Sequence, residues 1–255
     1  MLIDDFINAK RDNHGGNGSN KKCYLFDDYV LLYGGCKEAE LKSLVQISNS
    51  LEEKGVSLIS TKEYKIVSEP NELGYTRGYF LQKRAQGTEL YNNNMSEEEY
   101  KKRINEVAQM STDQMDKFVS DWLTISEAGL MIDPSKCGNF FYDDGKISFI
   151  DLNLASRPQS LEDQFYEVSN VLFGLGLKSK YKTDGTDFMK ILENVSSSFL
   201  KKGLSLDSIK SISSKYTYFL DKSKIGLVMD NLSKEQSKNS LLTRDLALQC
   251  KIAGR

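Results

Sequence analysis

Asp133, Asn139 and Asp151 are the residues whose types and spacing could do chemistry together. They lie within the stretch 129–153, GLMIDPSKCGNFFYDDGKISFIDLN. Phe140, Phe141 and Tyr142 read as a short apolar strand, and Ile147, Phe149 and Ile150 as a returning strand rich in β-branched and aromatic residues. Asp143-Asp144-Gly145-Lys146 between them reads as a hairpin turn, because Asp-Gly tolerates the positive φ values that tight turns need. Such a hairpin carries Asp151 back towards Asp133 and Asn139. Two carboxylates and an amide gathered there offer hard oxygen donors for a divalent cation and an acceptor for a proton.

A second set of candidates stands near the N-terminus. His14-Gly15-Gly16-Asn17-Gly18-Ser19-Asn20-Lys21-Lys22 precedes two strand-like runs, 23–26 and 29–33, turned by Asp27-Asp28. Glycines let a backbone approach phosphate oxygens and aim N–H groups at them. No Gly-Lys-Ser or Gly-Lys-Thr follows, so the segment is not a Walker A loop.

An acid, a short loop ending in Asn, a hairpin and a second acid after an apolar strand resemble the core of the protein-kinase-like superfamily. That superfamily includes protein kinases, aminoglycoside and choline kinase-like enzymes, and small kinases that bacteria secrete as effectors. The resemblance implies that Asp133 accepts the proton of an acceptor hydroxyl, and that Asn139 and Asp151 hold Mg²⁺. It implies that Gly15, Gly16, Gly18 and Ser19 cover the phosphates of ATP, and that Lys136 stands near the transferred phosphate. The stretch 79–90 resembles the interlobe hinge, which places Leu81 and Lys83 beside the nucleotide. The superfamily also uses a third-strand lysine paired with a helix Glu. The lysine position falls near Leu32, and residues 29–33 contain no lysine. The segment 18–24 resembles the glycine strand of the with-no-lysine kinases, so Lys21 is the first replacement and Lys22 the second. Glu40 is then the expected carboxylate partner.

The chain departs from the protein-kinase signature in three places. Asn139 follows Asp133 by six positions, one more than the signature has. Met131-Ile132-Asp133 lacks the histidine, and Asp151-Leu152-Asn153 replaces the Asp-Phe-Gly triplet.

The elements that must position these residues follow from periodicity. Leu41, Leu44, Val45, Ile47 and Leu51 recur at helical spacing within 36–54, and Gly55 ends that helix. Strands are expected at 64–67 and 78–81. Ser96 and Glu99 form a capping box for a helix whose inner face is Tyr100, Ile104, Val107 and Ala108. A second helix starts at Ser111 or Thr112, buries Met115, Phe118, Val119, Trp122, Leu123 and Ile125, and stops at Gly129. Residues 153–160 leave no room for a long activation segment before a helix starting at Ser160. Helices over 186–203 and 207–250 complete the chain. The expected fold class is α+β: a protein-kinase-like bilobal fold with a small antiparallel β-rich N-lobe over 1–86 and an α-rich C-lobe over 87–255, holding ATP between them.

Composition narrows the function. The 255 residues carry a net charge of −2, so no global basic field points to nucleic acid. No apolar run reaches membrane-spanning length, and the N-terminus lacks a cationic-then-apolar secretory pattern. Cys23, Cys36, Cys137 and Cys250 are scattered without metal-binding spacing and read as free thiols of a reducing compartment. A single histidine, His14, argues against hydrolase triads. The expectation is a phosphotransferase dependent on ATP and Mg²⁺, acting on a hydroxyl of a protein or small molecule. The alternative is a pseudokinase that binds nucleotide or a partner. Its place is the cytoplasm, or outside the cell after export without a cleavable signal, as for a bacterial effector.

Overall fold

The computed structural model describes residues 3–10, 14–17, 21–174, 185–216 and 220–253. Gly18 and Ser19 lie outside them. The chain forms two compact units, one of residues 1–92 and 120–158, the other of 93–119 and 159–255. This partition differs from a single cut near Gln86. The central hairpin belongs with the N-terminal unit because its strand pairs with the segment just after Gln86 and because residues 57–59 bond to its other strand.

The first unit is built on a five-stranded antiparallel sheet of order β1-β2-β3-β5-β4. Its strands are β1 (His14–Asn17), β2 (Lys21–Leu25), β3 (Tyr29–Cys36), β4 (Thr61–Ile66) and β5 (Thr76–Lys83). Asp27-Asp28 turns the chain as expected, with Phe26 N donating to Tyr29 O at 2.9 Å. Cys23 and Cys36 are free thiols.

Cross-strand partners share a face, and successive residues alternate. Cys23, Leu32, Phe80 and Tyr64 form one rung; Tyr24, Leu31, Leu81 and Glu63 form the next, on the opposite face. Helix α1 (Ile3–Ala9) covers this second face. Its Ile3 and Phe6 join Leu31 and Leu81 in one core, and Ile3 N donates to Glu63 Oε2 at 2.9 Å. Helix α2 (Glu38–Glu53) follows β3, and Gly55, at φ +84°, ends it where L-residues are strained.

A three-stranded sheet of order β6-β8-β9 completes the first unit, from β6 (Thr88–Glu89), β8 (Phe140–Asp143) and β9 (Lys146–Phe149). The hairpin turn has Asp144 at φ +44° and Gly145 at φ +80°, the pair of positive values that suits the strand twist. Gly87, at φ +78°, passes so close that a Cβ there would stand 2.1 Å from Tyr142 O. Trp122 supports the sheet as a core residue, its ring centroid 6.0 Å from those of both Phe140 and Phe149. A two-stranded pair, β7 (Leu130–Met131) with β10 (Asn153–Leu154), closes the stretch around Asp151.

The second unit is helical. Ser96 and Glu99 cap α3 (Glu97–Ala108) reciprocally, and Tyr100, Ile104, Val107 and Ala108 are its buried face. Helix α4 (Thr112–Glu127) begins in this unit and ends in the first. Ser160 caps α5 (Leu161–Leu172), which packs with α6 (Thr186–Lys201) and α7 (Leu206–Ser213) through Phe165, Val168, Phe199 and Ile209. Helix α8 (Lys222–Ala253) closes the described chain. No described helix is long and apolar enough to cross a membrane.

Candidate active site

Lys21 and Asp151 meet although 130 residues separate them: Lys21 Nζ donates to Asp151 Oδ1 at 2.9 Å. Their side chains are 37% and 36% exposed. An ion pair that wet contributes about 0–1 kcal/mol to folding, so stability alone does not account for it.

Sheet parity separates Lys21 from Lys22. Lys21 lies two residues before Cys23 and so points to the face of Leu32 and Phe80; its ammonium stands 5.9 Å from the Phe80 ring centroid. Lys22 pairs with Tyr33 and points to the face that α1 covers. Lys21 therefore occupies the face on which a lysine at Leu32 would have stood.

Asp151 is held in an unusual backbone state. Its φ is +55°, a left-handed value costly for a residue with a Cβ. Neighbours fix it there. Ile150 N donates to Asn139 O at 3.0 Å, and Asn153 Nδ2 donates to Asp151 O at 3.2 Å. Asn139 is 5% exposed, and its Nδ2 donates to Asp133 O at 3.4 Å. The hairpin thus ties Asp133, Asn139 and Asp151 into one hydrogen-bonded neighbourhood.

Ser135 and Lys136 surround the Asp133 carboxylate. Ser135 N and Oγ both donate to Oδ1, at 3.0 and 2.6 Å, and Lys136 Nζ stands 3.6 Å from Oδ2. Partial burial pushes this carboxyl up, but the Ser135 bonds and the Lys136 charge outweigh it and hold the pKa below its ordinary 3.8. A depressed folded pKa contributes stability that is complete above the ordinary value and is lost as pH falls through the folded one. Ser135→Ala removes the hydroxyl bond and is expected to raise the Asp133 pKa towards 3.8, read by ¹³C NMR titration of the carboxyl. An unchanged titration would refute this account of the site.

Asp151 and Asn139 supply a carboxylate and an amide, both hard oxygen donors. Among the described residues, no three His, Cys, Asp or Glu side chains gather as a metal cage. That donor set fits Mg²⁺, which commonly takes one or two protein oxygens and fills its octahedron with phosphate and water.

Several expected site residues lie elsewhere. Glu40 is not beside Lys21. It pairs with Lys37 at 3.2 Å on the first turn of α2 and is 59% exposed, while the Lys21 ammonium pairs with Asp151. Leu81 sits in the α1 core with its backbone inside the ladder of β3 and β5, and Phe80 is the β5 side chain on the Lys21 face. Lys83 is exposed at the end of β5. Gly15 and Gly16 form a strand instead of a loop. A Cβ at Gly15 would stand 2.6 Å from Leu25 Cγ, so close packing against Leu25 explains that glycine.

Neither Phe80 nor Ser135 stands out by residue type alone. Strand alternation from the Tyr79-Phe80-Leu81 run could have flagged Phe80. An Asp-x-Ser step, which commonly folds into a side-chain-capped turn, could have flagged Ser135.

No family model matches the sequence, and no curated protein matches it in sequence. The chain is similar to several solved structures. With the kinase PK-1 of Cydia pomonella granulovirus it shares 12% identity over 67% of this chain and 73% of that one, at a TM-score of 0.41. With the amicoumacin kinase hAmiN, solved with AMP-PNP, Ca²⁺ and Ami, it shares 12% identity over 90% and 94%, at 0.36. With WbdD, solved with the kinase inhibitor LY294002, it shares 13% identity over 75% of this chain and 46% of that one, at 0.35.

Proposed function

We propose that this chain is a phosphotransferase that moves the γ-phosphoryl group of Mg²⁺-ATP to a hydroxyl. The observation that carries the reading is the Lys21–Asp151 ion pair. It sets a cation beside a metal-competent carboxylate, next to Asn139 and on the sheet face opposite the α1 core. Lys21 would bind phosphate oxygens. Asn139 and Asp151 would hold Mg²⁺, which supplies charge neutralisation when bound. Asp133 would accept the hydroxyl proton, a role suited to a carboxylate kept ionised by Ser135 and Lys136. Lys136 would also steady the transferred group. Phosphoryl transfer needs positioning and charge stabilisation more than covalent help, so this small set is sufficient. The acceptor is a protein or a small molecule. Residues 155–160 alone connect β10 to α5 in sequence, too few to build a peptide platform.

One observation favours a second reading. Glu40 is engaged by Lys37, which leaves Lys21 without a helix carboxylate and suits a nucleotide-binding module without transfer.

The experiment is a melting curve with and without Mg²⁺-ATP. Nucleotide at roughly 100 times its dissociation constant stabilises the folded state by about 2.7 kcal/mol, a shift of about 5–10 °C for a chain of this size. A shift that needs magnesium supports the site. Its absence refutes both readings. ADP formation then separates transfer from binding alone.

A further inference from the structure

We propose that Ser135 is an internal phosphoryl acceptor, so that the chain phosphorylates itself in cis on the loop that carries Asp133. The inference rests on the phosphotransferase reading and names one substrate of that site. A general base must lie within hydrogen-bond reach of the proton it takes. Ser135 Oγ already donates to Asp133 Oδ1 at 2.6 Å. The hydroxyl is exposed, so no packing has to be broken for it to react.

The turn does not need that hydroxyl. Ser135 N alone closes it on the same Oδ1, at 3.0 Å, and Pro134 restricts the backbone between the two residues. The hydroxyl is thus held over the carboxylate by chain geometry, and an intramolecular acceptor gains rate from that positioning. Lys136 follows directly, with Nζ 3.6 Å from Asp133 Oδ2, where a cation can hold a phosphate once it is formed.

In the step, Ser135 Oγ forms a bond to the γ-phosphorus of ATP, and the bond from that phosphorus to the β–γ bridging oxygen breaks. ADP leaves with the electron pair. The Ser135 proton passes to Asp133 and then to water. The product places a charge of about −1.5 to −2 against Asp133 and fills the position an external acceptor needs. The reaction therefore stops at one phosphate per chain and closes the site behind it.

The test incubates the full chain with Mg²⁺-ATP and follows intact mass, site-localised peptide mass and the melting shift. The expected result is a single phosphate on Ser135, formed at a rate per chain that does not change with protein concentration. Ser135→Ala loses that phosphate yet keeps the magnesium-nucleotide melting shift, and Ser135→Thr keeps both. A melting shift without phosphate on Ser135 overturns the proposal and leaves the phosphotransferase reading standing. A rate per chain that rises with protein concentration overturns the cis step. No melting shift at all overturns both.

Discussion

Lys21→Met removes the magnesium-nucleotide melting shift and lowers any turnover by about 10²–10³-fold, the usual cost of deleting one preorganised charge partner at a transferring group. Lys22→Met leaves both nearly unchanged. The two lysines are adjacent in sequence and equal in charge, so composition and local field do not distinguish them. Parity does. Lys21 is on the rung side of Cys23, Leu32 and Phe80 and reaches Asp151; Lys22 is on the α1 side with Tyr33. Lys21→Met should leave the unfolding midpoint without nucleotide within about 1 kcal/mol of the parent, because the lost ion pair is half exposed. Leu32→Lys in the Lys21→Met background returns a cation to the same face and is expected to recover part of the shift. Equal losses from Lys21→Met and Lys22→Met would sink the assignment.

Phe149→Ala is expected to destabilise the chain by about 3–5 kcal/mol, the range for a buried Phe truncated in a packed core. Phe149 is fully buried and meets Trp122 and Phe140 edge-on, at centroid separations of 6.0 and 6.1 Å. Its main chain is committed as well: Phe149 N donates to Ser57 O and its carbonyl accepts from Ile59 N, both at 2.9 Å. The loss should appear as a lower urea midpoint at constant slope. Phe149 lies two residues before Asp151, so the loosened strand should also weaken Mg²⁺-nucleotide binding in the fraction that stays folded. A cost below about 1 kcal/mol would mean that the aromatic trio does not brace the hairpin.

The local elements were legible in the sequence because their causes lie within a few residues. The Ser96–Glu99 capping box, the buried face of Tyr100, Ile104, Val107 and Ala108, the Asp144-Gly145 turn and the Gly129 stop all use groups separated by one helical turn or one hairpin. The α+β division follows from where period-two runs give way to helical spacing. The return of the chain from Asn139 to Ile150 was legible for the same reason, since a tight hairpin brings the chain back to where it left.

Other features required the tertiary structure. The meeting of Lys21 with Asp151 spans 130 residues and depends on how the sheet faces the hairpin, which no local propensity encodes. Glu40 reads well as a helix carboxylate, but its orientation is a matter of packing, and the structure turns it to Lys37. Leu81 and Phe80 are neighbours of like hydrophobicity and both are buried; only the position of α1 decides which one packs against that helix and which one faces Lys21. Most helices, the hairpin turn and the chemical inventory could be read from the residues, because short-range sterics and hydrogen bonds fix those; the helix expected over 207–250 is instead two, Leu206–Ser213 and Lys222–Ala253. The tertiary structure decided which lysine meets which acid, because strand parity and long-range packing choose among side chains that are locally equivalent.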